Sequence, residues 1–278
     1  MAKLEETTLA GLPAAAARPS AGPAAAKLLF VHGFLGHHHQ FDAWLERLSD
    51  QGFECHALSL RGRLGTPPEN ARGVRLADYV DDVERALGEL GPDTVLVAHS
   101  LGGLLAVKAI AEGAQARAAV LLAPGPERFY VPRPGLWPAL PWLGPRVMAG
   151  IAFRAPYRVV NQIALNRIPE DEKQALHEAM VSDSGRAYRA FLLGAGADRS
   201  RVSCPILVIA GREDRVIPVA VARAMARRFN ADFEVAEGHA HWLPGEPGWE
   251  AIADRVAEWV RSKLPSPKES AAPTPPAR

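Results

Sequence analysis

A serine set between an apolar, β-branched run and a pair of glycines is where covalent chemistry first becomes legible in this chain. In Val95-Leu96-Val97-Ala98-His99-Ser100-Leu101-Gly102-Gly103 a strand-like stretch runs into Ser100, and a helix-forming stretch follows at once. A sharp strand-to-helix turn at the serine would push its hydroxyl out above the end of a sheet and would require small neighbours. Ala98, Gly102 and Gly103 meet that requirement, with alanine standing where such turns usually have glycine. The following helix points its free amides and the positive end of its dipole at the atom the serine attacks. That suits acyl transfer, in which negative charge builds on an oxygen. A serine that only caps a helix would give the same letters, so the rest of the chain must decide.

A nucleophilic serine needs a base, and the base needs an acid to orient it. The apolar run Ile206-Leu207-Val208-Ile209-Ala210 leads into Gly211-Arg212-Glu213-Asp214, and a later strand-like run leads into Glu237-Gly238-His239-Ala240-His241-Trp242. Serine, acid, histidine in that chain order belongs to one hydrolase superfold and differs from the order in the two better-known protease folds. Glu213 rivals Asp214, but adjacent loop residues generally point apart, so one of them faces the histidine. Pro124-Gly125-Pro126, after an earlier strand, offers no competing aspartate, and Asp214 is the acid of choice. His239 and His241 remain alternatives for the base on these grounds.

Such residues must be brought together by the elements between them. Apolar runs at 27–31, 53–60, 93–98, 119–123, 205–210 and 231–236 alternate with helical patterns at 76–90, 101–112, 218–229 and 249–264. The alternation predicts an α/β protein with a mostly parallel central sheet and helices on both faces. Ligands of such sheets bind beyond the carboxyl ends of the strands. Residues 126–197 break the rhythm with a proline- and aromatic-rich start and helical pieces, one of which, at 169–181, opens on proline and acids. They are expected to form a helical cap inserted into a core made of 27–125 and 198–264. Residues 1–26, rich in Ala, Pro and Gly, are expected as a flexible arm, and 265–278 as a disordered tail.

The formal net charge of +1 over 278 residues gives no reason to expect nucleic acid or an anionic surface as partner. No apolar run approaches the roughly 18 residues of a membrane span. The opening stretch carries Glu5 and Glu6 and lacks a compact apolar segment, so a signal peptide is not expected. Two cysteines, Cys55 and Cys204, make no disulfide framework, and the cytoplasm is the expected compartment. His37-His38-His39 invites a metal reading. Three adjacent side chains on a turn cannot all converge on one ion, however, and no other cluster stands at ligand spacing. Neither metal nor cofactor is expected. His32 is read as holding its loop and His99 as packing beside the elbow, with Arg61-Gly62-Arg63 as a turn after a strand.

Taken together the motifs resemble those of the α/β-hydrolase fold family, of the capped serine esterase/lipase type, over nearly all of residues 27–264. They are His32-Gly33-Phe34-Leu35-Gly36, Leu60-Arg61-Gly62-Arg63, Ala98 to Gly103, Gly211 to Pro218, and His241 followed by Glu246-Pro247-Gly248-Trp249-Glu250. The resemblance implies Ser100 as nucleophile, Asp214 as acid, and the amides of Phe34 and Leu101 as the oxyanion hole. The spacing to the Glu-Pro-Gly-Trp-Glu signature favours His241 over His239 as base. A related branch of dehalogenases and epoxide hydrolases carries aspartate at the nucleophile, and Ser100 argues against both.

The implied activity is hydrolysis of a small-molecule carboxylic ester through an acyl-enzyme on Ser100. The same triad acting as a C–C bond hydrolase, thioesterase or perhydrolase is the alternative, and a non-catalytic ligand-binding protein of this fold is the alternative of another class. In the cap, Phe129, Tyr130, Trp137 and Trp142 either line an acyl pocket or form the cap's own core. Arg128, Arg133, Arg146, Arg154 and Arg158 are read as a solvated face in preference to an anion site. Oligomeric state and acyl length have no sequence signal.

Overall fold

The computed structural model describes residues 3–127 and 140–264. Its strands are β1 (Leu4–Leu9), β2 (Leu12–Ala17), β3 (Lys27–Val31), β4 (Glu54–Leu58), β5 (Thr94–His99), β6 (Ala118–Leu122), β7 (Ile206–Gly211) and β8 (Asp232–Ala236). The helices are α1 (Asp42–Asp50), α2 (Leu76–Leu90), α3 (Leu101–Glu112), α4 (Leu140–Met148), α5 (Tyr157–Ile163), α6 (Glu170–Ala179), α7 (Gly185–Leu193), α8 (Val219–Phe229) and α9 (Trp249–Ser262).

The described strands form one sheet in the order β1-β2-β4-β3-β5-β6-β7-β8. From β4 across to β8 every pairing is parallel. All residues of β5, β6 and β7 are buried, which is why these strands read as unbroken apolar runs: helices cover both faces. Alternate residues of β5 serve different layers. Leu96 and Ala98 pack with α2, α3 and α8 on one face, while Val95 and Val97 pack with α1 and α9 on the other. The sequence-predicted fold class is the one observed.

Of residues 1–26, expected as a flexible arm, the described part from residue 3 departs from that expectation. β1 and β2 form an antiparallel hairpin turning at Ala10 and Gly11, both with positive φ, and β2 pairs antiparallel with β4. Alanine is a poor strand former in isolation, but a sheet edge offers hydrogen bonds and neighbours that override weak propensity. Ala14, Ala15 and Ala17 are buried there, small enough for helices and sheet to close over them. The expected tail, 265–278, lies outside the described residues.

Between β6 and β7 the described chain is helical, from α4 to α7, apart from a single antiparallel bridge between Phe153 and Asp183. Leu143, Val147 and Phe153 form one small apolar cluster of this insertion. Val160, Leu165, Ile168 and Met180 form another, which includes Trp242 from the loop after β8. The insertion therefore packs onto the carboxyl edge of the sheet. No helix among the described residues is long and apolar enough to cross a membrane.

Candidate active site

Ser100 sits between β5 and α3 with φ 53° and ψ −118°. This is a backbone conformation that non-glycine residues rarely adopt and that surrounding structure must hold in place. It is held by three hydrogen bonds. The Ser100 amide donates to the Leu122 carbonyl at 3.0 Å, and its own carbonyl accepts from the amides of Gly103 at 3.0 Å and Gly125 at 2.8 Å. The required small neighbours are explained by close approach. A Cβ on Gly33 would lie 2.8 Å from Ser100 Cβ, and one on Gly102 would overlap the Val31 carbonyl. The turn after β3 is thus pressed against the elbow.

Three side chains remote in the chain meet at this point. Ser100 Oγ lies 3.1 Å from His241 Nε2, and His241 Nδ1 lies 2.9 Å from Asp214 Oδ2. The other carboxylate oxygen, Oδ1, accepts from the amides of Val216 and Ile217, each at 2.7 Å. Those two amides lock the carboxylate on its loop after β7, so that Oδ2 faces the imidazole. With Nδ1–H donating to Asp214, the lone pair of Nε2 faces the serine hydroxyl, which is the tautomer a general base requires. The rivals lie elsewhere. Glu213 is exposed and lies 3.7 Å from Arg167. His239 Nδ1 is 3.4 Å from buried Glu246.

Three further residues hold this geometry: Glu246, which the sequence offered only as part of a signature, and His99 and His32, which it read as packing and loop residues. Glu246 is fully buried. Its Oε2 accepts from the Ala240 amide at 2.6 Å and its Oε1 from the Trp242 amide at 2.9 Å, clamping the backbone on both sides of His241. His99 does more than pack beside the elbow, for its Nε2–H donates to the His241 carbonyl at 2.8 Å. Burial, reinforced by the neighbouring His241, pushes the His99 pKa down to about 3 and keeps the ring neutral. His32 holds two turns together: Nδ1–H donates to the Gly33 carbonyl at 2.8 Å, and Nε2 accepts from the Leu60 amide at 3.1 Å. Its pKa also lies well below the ordinary value, through burial and then the Arg63 charge.

The turn carrying Phe34 is tied down by groups from far away. Asp183, in the insertion, accepts from the Leu35 amide at 2.9 Å through Oδ2 and pairs with Arg63 at 2.6 Å. Its Oδ1 accepts from the Tyr79 hydroxyl at 2.7 Å. The Gly36 amide donates to Gly33. These bonds use the amides of Leu35 and Gly36, which follow Phe34, and do not use that of Phe34. Leu101 opens α3, where an amide precedes the first intrahelical acceptor. Asp183 and Tyr79 left no sequence signal, because neither belongs to a local pattern with Arg63.

Ser100 and His241 lie at the base of a cavity lined by Phe34, Leu35, Trp142, Leu143, Phe153, Tyr188, Phe191 and Trp242, with further aliphatic residues of the insertion. No Asp, Glu, Lys or Arg lines it among the described residues. The Phe34 ring meets the rings of Tyr188 and Phe191 at 4.8 and 5.3 Å. Of the aromatic residues named as pocket candidates, Trp142 lines the cavity, while it also packs on Phe153 and under Arg146. Phe129, Tyr130 and Trp137 lie outside the described residues, as do Arg128 and Arg133. Arg154 is exposed and donates to the carbonyls of His177 and Glu178, and Arg158 is exposed.

Residues 28–255 match the model of the Alpha/beta hydrolase family. The chain is 24% identical to a monoacylglycerol lipase of Mycolicibacterium smegmatis, covering 85% of this chain and 88% of the relative. It is 30% identical to a pimeloyl-[acyl-carrier protein] methyl ester esterase of Xanthomonas campestris pv. campestris, covering 85% and 93%. Among solved structures, it superposes on a 2-hydroxy-6-oxo-6-phenylhexa-2,4-dienoate hydrolase of Rhodococcus sp. strain RHA1 with a TM-score of 0.69. That match has 15% identity and covers 94% of this chain and 100% of the other, a likeness of fold.

Proposed function

Because the chain belongs to the alpha/beta hydrolase family, we propose that it is a serine hydrolase cleaving neutral, apolar carboxylic esters through an acyl-enzyme on Ser100. The observation that carries this reading is the continuous Ser100–His241–Asp214 hydrogen-bonded relay, at 3.1 and 2.9 Å, opening into an apolar cavity.

His241 Nε2 takes the hydroxyl proton as Ser100 Oγ attacks the ester carbonyl. The amides of Phe34 and Leu101 receive the developing oxyanion, each donor lowering the barrier by roughly 3 kcal/mol. As the tetrahedral intermediate collapses, the C–O bond to the leaving alcohol breaks and His241 returns the proton to that alcohol. Water then attacks the acyl-enzyme with His241 again as base, releasing the carboxylic acid and restoring the hydroxyl. Asp214 keeps the imidazole in one tautomer and stabilises the imidazolium formed in each half-reaction.

The absence of charged lining residues, among those described, favours an uncharged acyl group, since an unpaired buried charge is strongly disfavoured. Two relatives are named for ester chemistry, a monoacylglycerol lipase and a methyl ester esterase. The C–C hydrolase of like fold is named for a dienoate, an anionic substrate, for which the described lining offers no cation. A panel of p-nitrophenyl esters of graded acyl length, run beside a β-diketone and an acyl thioester, tests the proposal. Turnover of the esters, with loss of both turnover and fluorophosphonate labelling in Ser100→Ala, is expected. Labelling without ester turnover would move the reading to another acyl or C–C substrate, and no labelling would end it.

A further inference from the structure

The β1–β2 hairpin and the turn before α1 bring together a cluster that plays no part in the hydrolytic site. Glu6 on β1, with His38 and His39, places three ligating atoms within 4.8 Å of one another. His38 Nε2 is 3.2 Å from Glu6 Oε2, and His39 Nδ1 is 3.7 Å from Glu6 Oε1. Asp42, the first residue of α1, flanks them. Its Oδ2 is 2.9 Å from His39 Nδ1, and its buried Oδ1 has no hydrogen-bond partner. His37 turns away to the Ala179 carbonyl at 3.0 Å. Three adjacent histidines do not all converge, as sequence reasoning holds. Two of them do, because a strand that reasoning did not foresee supplies the missing ligand.

Charge, spacing and outer support all suit a cation here. Two carboxylates face two imidazoles, and among the described residues neither Glu6 nor Asp42 is paired with a lysine or arginine. Lone pairs of nitrogen and carboxylate oxygen approach this closely only with a proton or a cation between them. Ligands bound tetrahedrally at about 2.1 Å lie roughly 3.4 Å apart, between the two contacts of Glu6 with the imidazoles, 3.2 and 3.7 Å. Ser59 Oγ accepts the His38 amide at 3.0 Å and lies 2.8 Å from His38 Nδ1. It can also accept the Nδ1 proton, leaving the Nε2 lone pair for an ion and fixing the ring's orientation. Imidazole nitrogen beside carboxylate oxygen suits zinc-like ions, whereas calcium and magnesium take oxygen ligands.

We propose that Glu6, His38 and His39 bind a divalent transition-metal ion of the zinc class, displacing the hydrogen bond between His39 and Asp42, and so staple the hairpin to the core. The test titrates the full, chelator-stripped chain with zinc sulfate by calorimetry, and with cobalt(II) by visible absorption. One saturable equivalent and a higher Tm on zinc addition are expected, since an ion bound only by the folded state stabilises it. Glu6→Gln and His39→Ala alter exposed side chains that the fold tolerates losing. Each should weaken zinc binding by about tenfold or more, since loss of even a partner that only orients a ligand commonly costs that much, and His39→Ala should abolish the cobalt band. Glu54→Gln, at the separate Glu54–His56 contact, should bind zinc as the natural chain does. No saturable binding, equal binding by all variants, or selective loss in Glu54→Gln would overturn the proposal.

Discussion

Asp183 and Arg63 form an ion pair at 2.6 Å in which neither side chain is exposed to solvent. Both partners make further hydrogen bonds. Asp183 also accepts from the Leu35 amide, the Tyr79 hydroxyl and the Ser184 amide. Arg63 donates to the carbonyls of Gly36 and Arg61 and lies over the Tyr79 ring at 4.7 Å. Burial, and then the Asp183 charge, push the Tyr79 pKa upward, so its hydroxyl stays a donor. One buried pair thereby fastens the helical insertion to the turn that carries Phe34.

Removing one partner of such a pair strands the other. Asp183→Ala is expected to lower unfolding free energy by about 3–5 kcal/mol, the range for an uncompensated buried charge, as read from urea denaturation. Asp183→Asn keeps the shape and should fold. Its loosened turn should lower kcat by more than it raises KM. A variant with unchanged kcat would show that Asp183 holds the fold without positioning the turn.

Ser100→Ala is expected to lower kcat on an activated ester by about 10³–10⁶-fold, the scale for loss of a nucleophile that acts as one unit with its base. His241→Ala should be of similar severity, while His239→Ala should retain most activity. Equal losses at both histidines would contradict the 3.1 Å contact that sets His241 apart.

Glu246 offers a sharper probe of how the base is held. In Glu246→Ala the buried amides of Ala240 and Trp242 lose their acceptor, at about 1–3 kcal/mol each. Stability measured by denaturation should fall accordingly, and kcat should fall as His241 loses its clamp. Glu246→Gln retains one acceptor oxygen and should recover part of both.

Acid should weaken the fold through its buried neutral histidines. His99 titrates at about 3 in the folded chain, against about 6.5 when unfolded. Between those values the unfolded chain binds more protons, so stability rises with pH and is lost on acidification below about 6.5. One such group contributes a slope of up to about 1.4 kcal/mol per pH unit. His32, also lowered by burial, acts with the same sign. Unfolding free energies measured from pH 4 to 7 should show this slope, and it should flatten by up to one proton in His99→Gln.

Local sterics and periodicity are written into the chain and were legible there. Small residues around Ser100 announced a tight elbow, and unbroken apolar runs announced buried parallel strands. Glycine and proline marked the turns, and the order of the motifs marked the family. Tertiary structure alone decided the contacts between remote residues, because complementary charges and hydrogen-bonding groups leave no trace in their own neighbourhoods. Nothing near Arg63 points to Asp183, and nothing near His38 points to Glu6. Loop chemistry left His239 and His241 open, and the spacing to Glu246 only inclined toward His241; the fold set His241 against Ser100. Ala14 to Ala17 read as loose chain because alanine carries little strand preference, and they became a strand only where β4 offered a free edge to pair with.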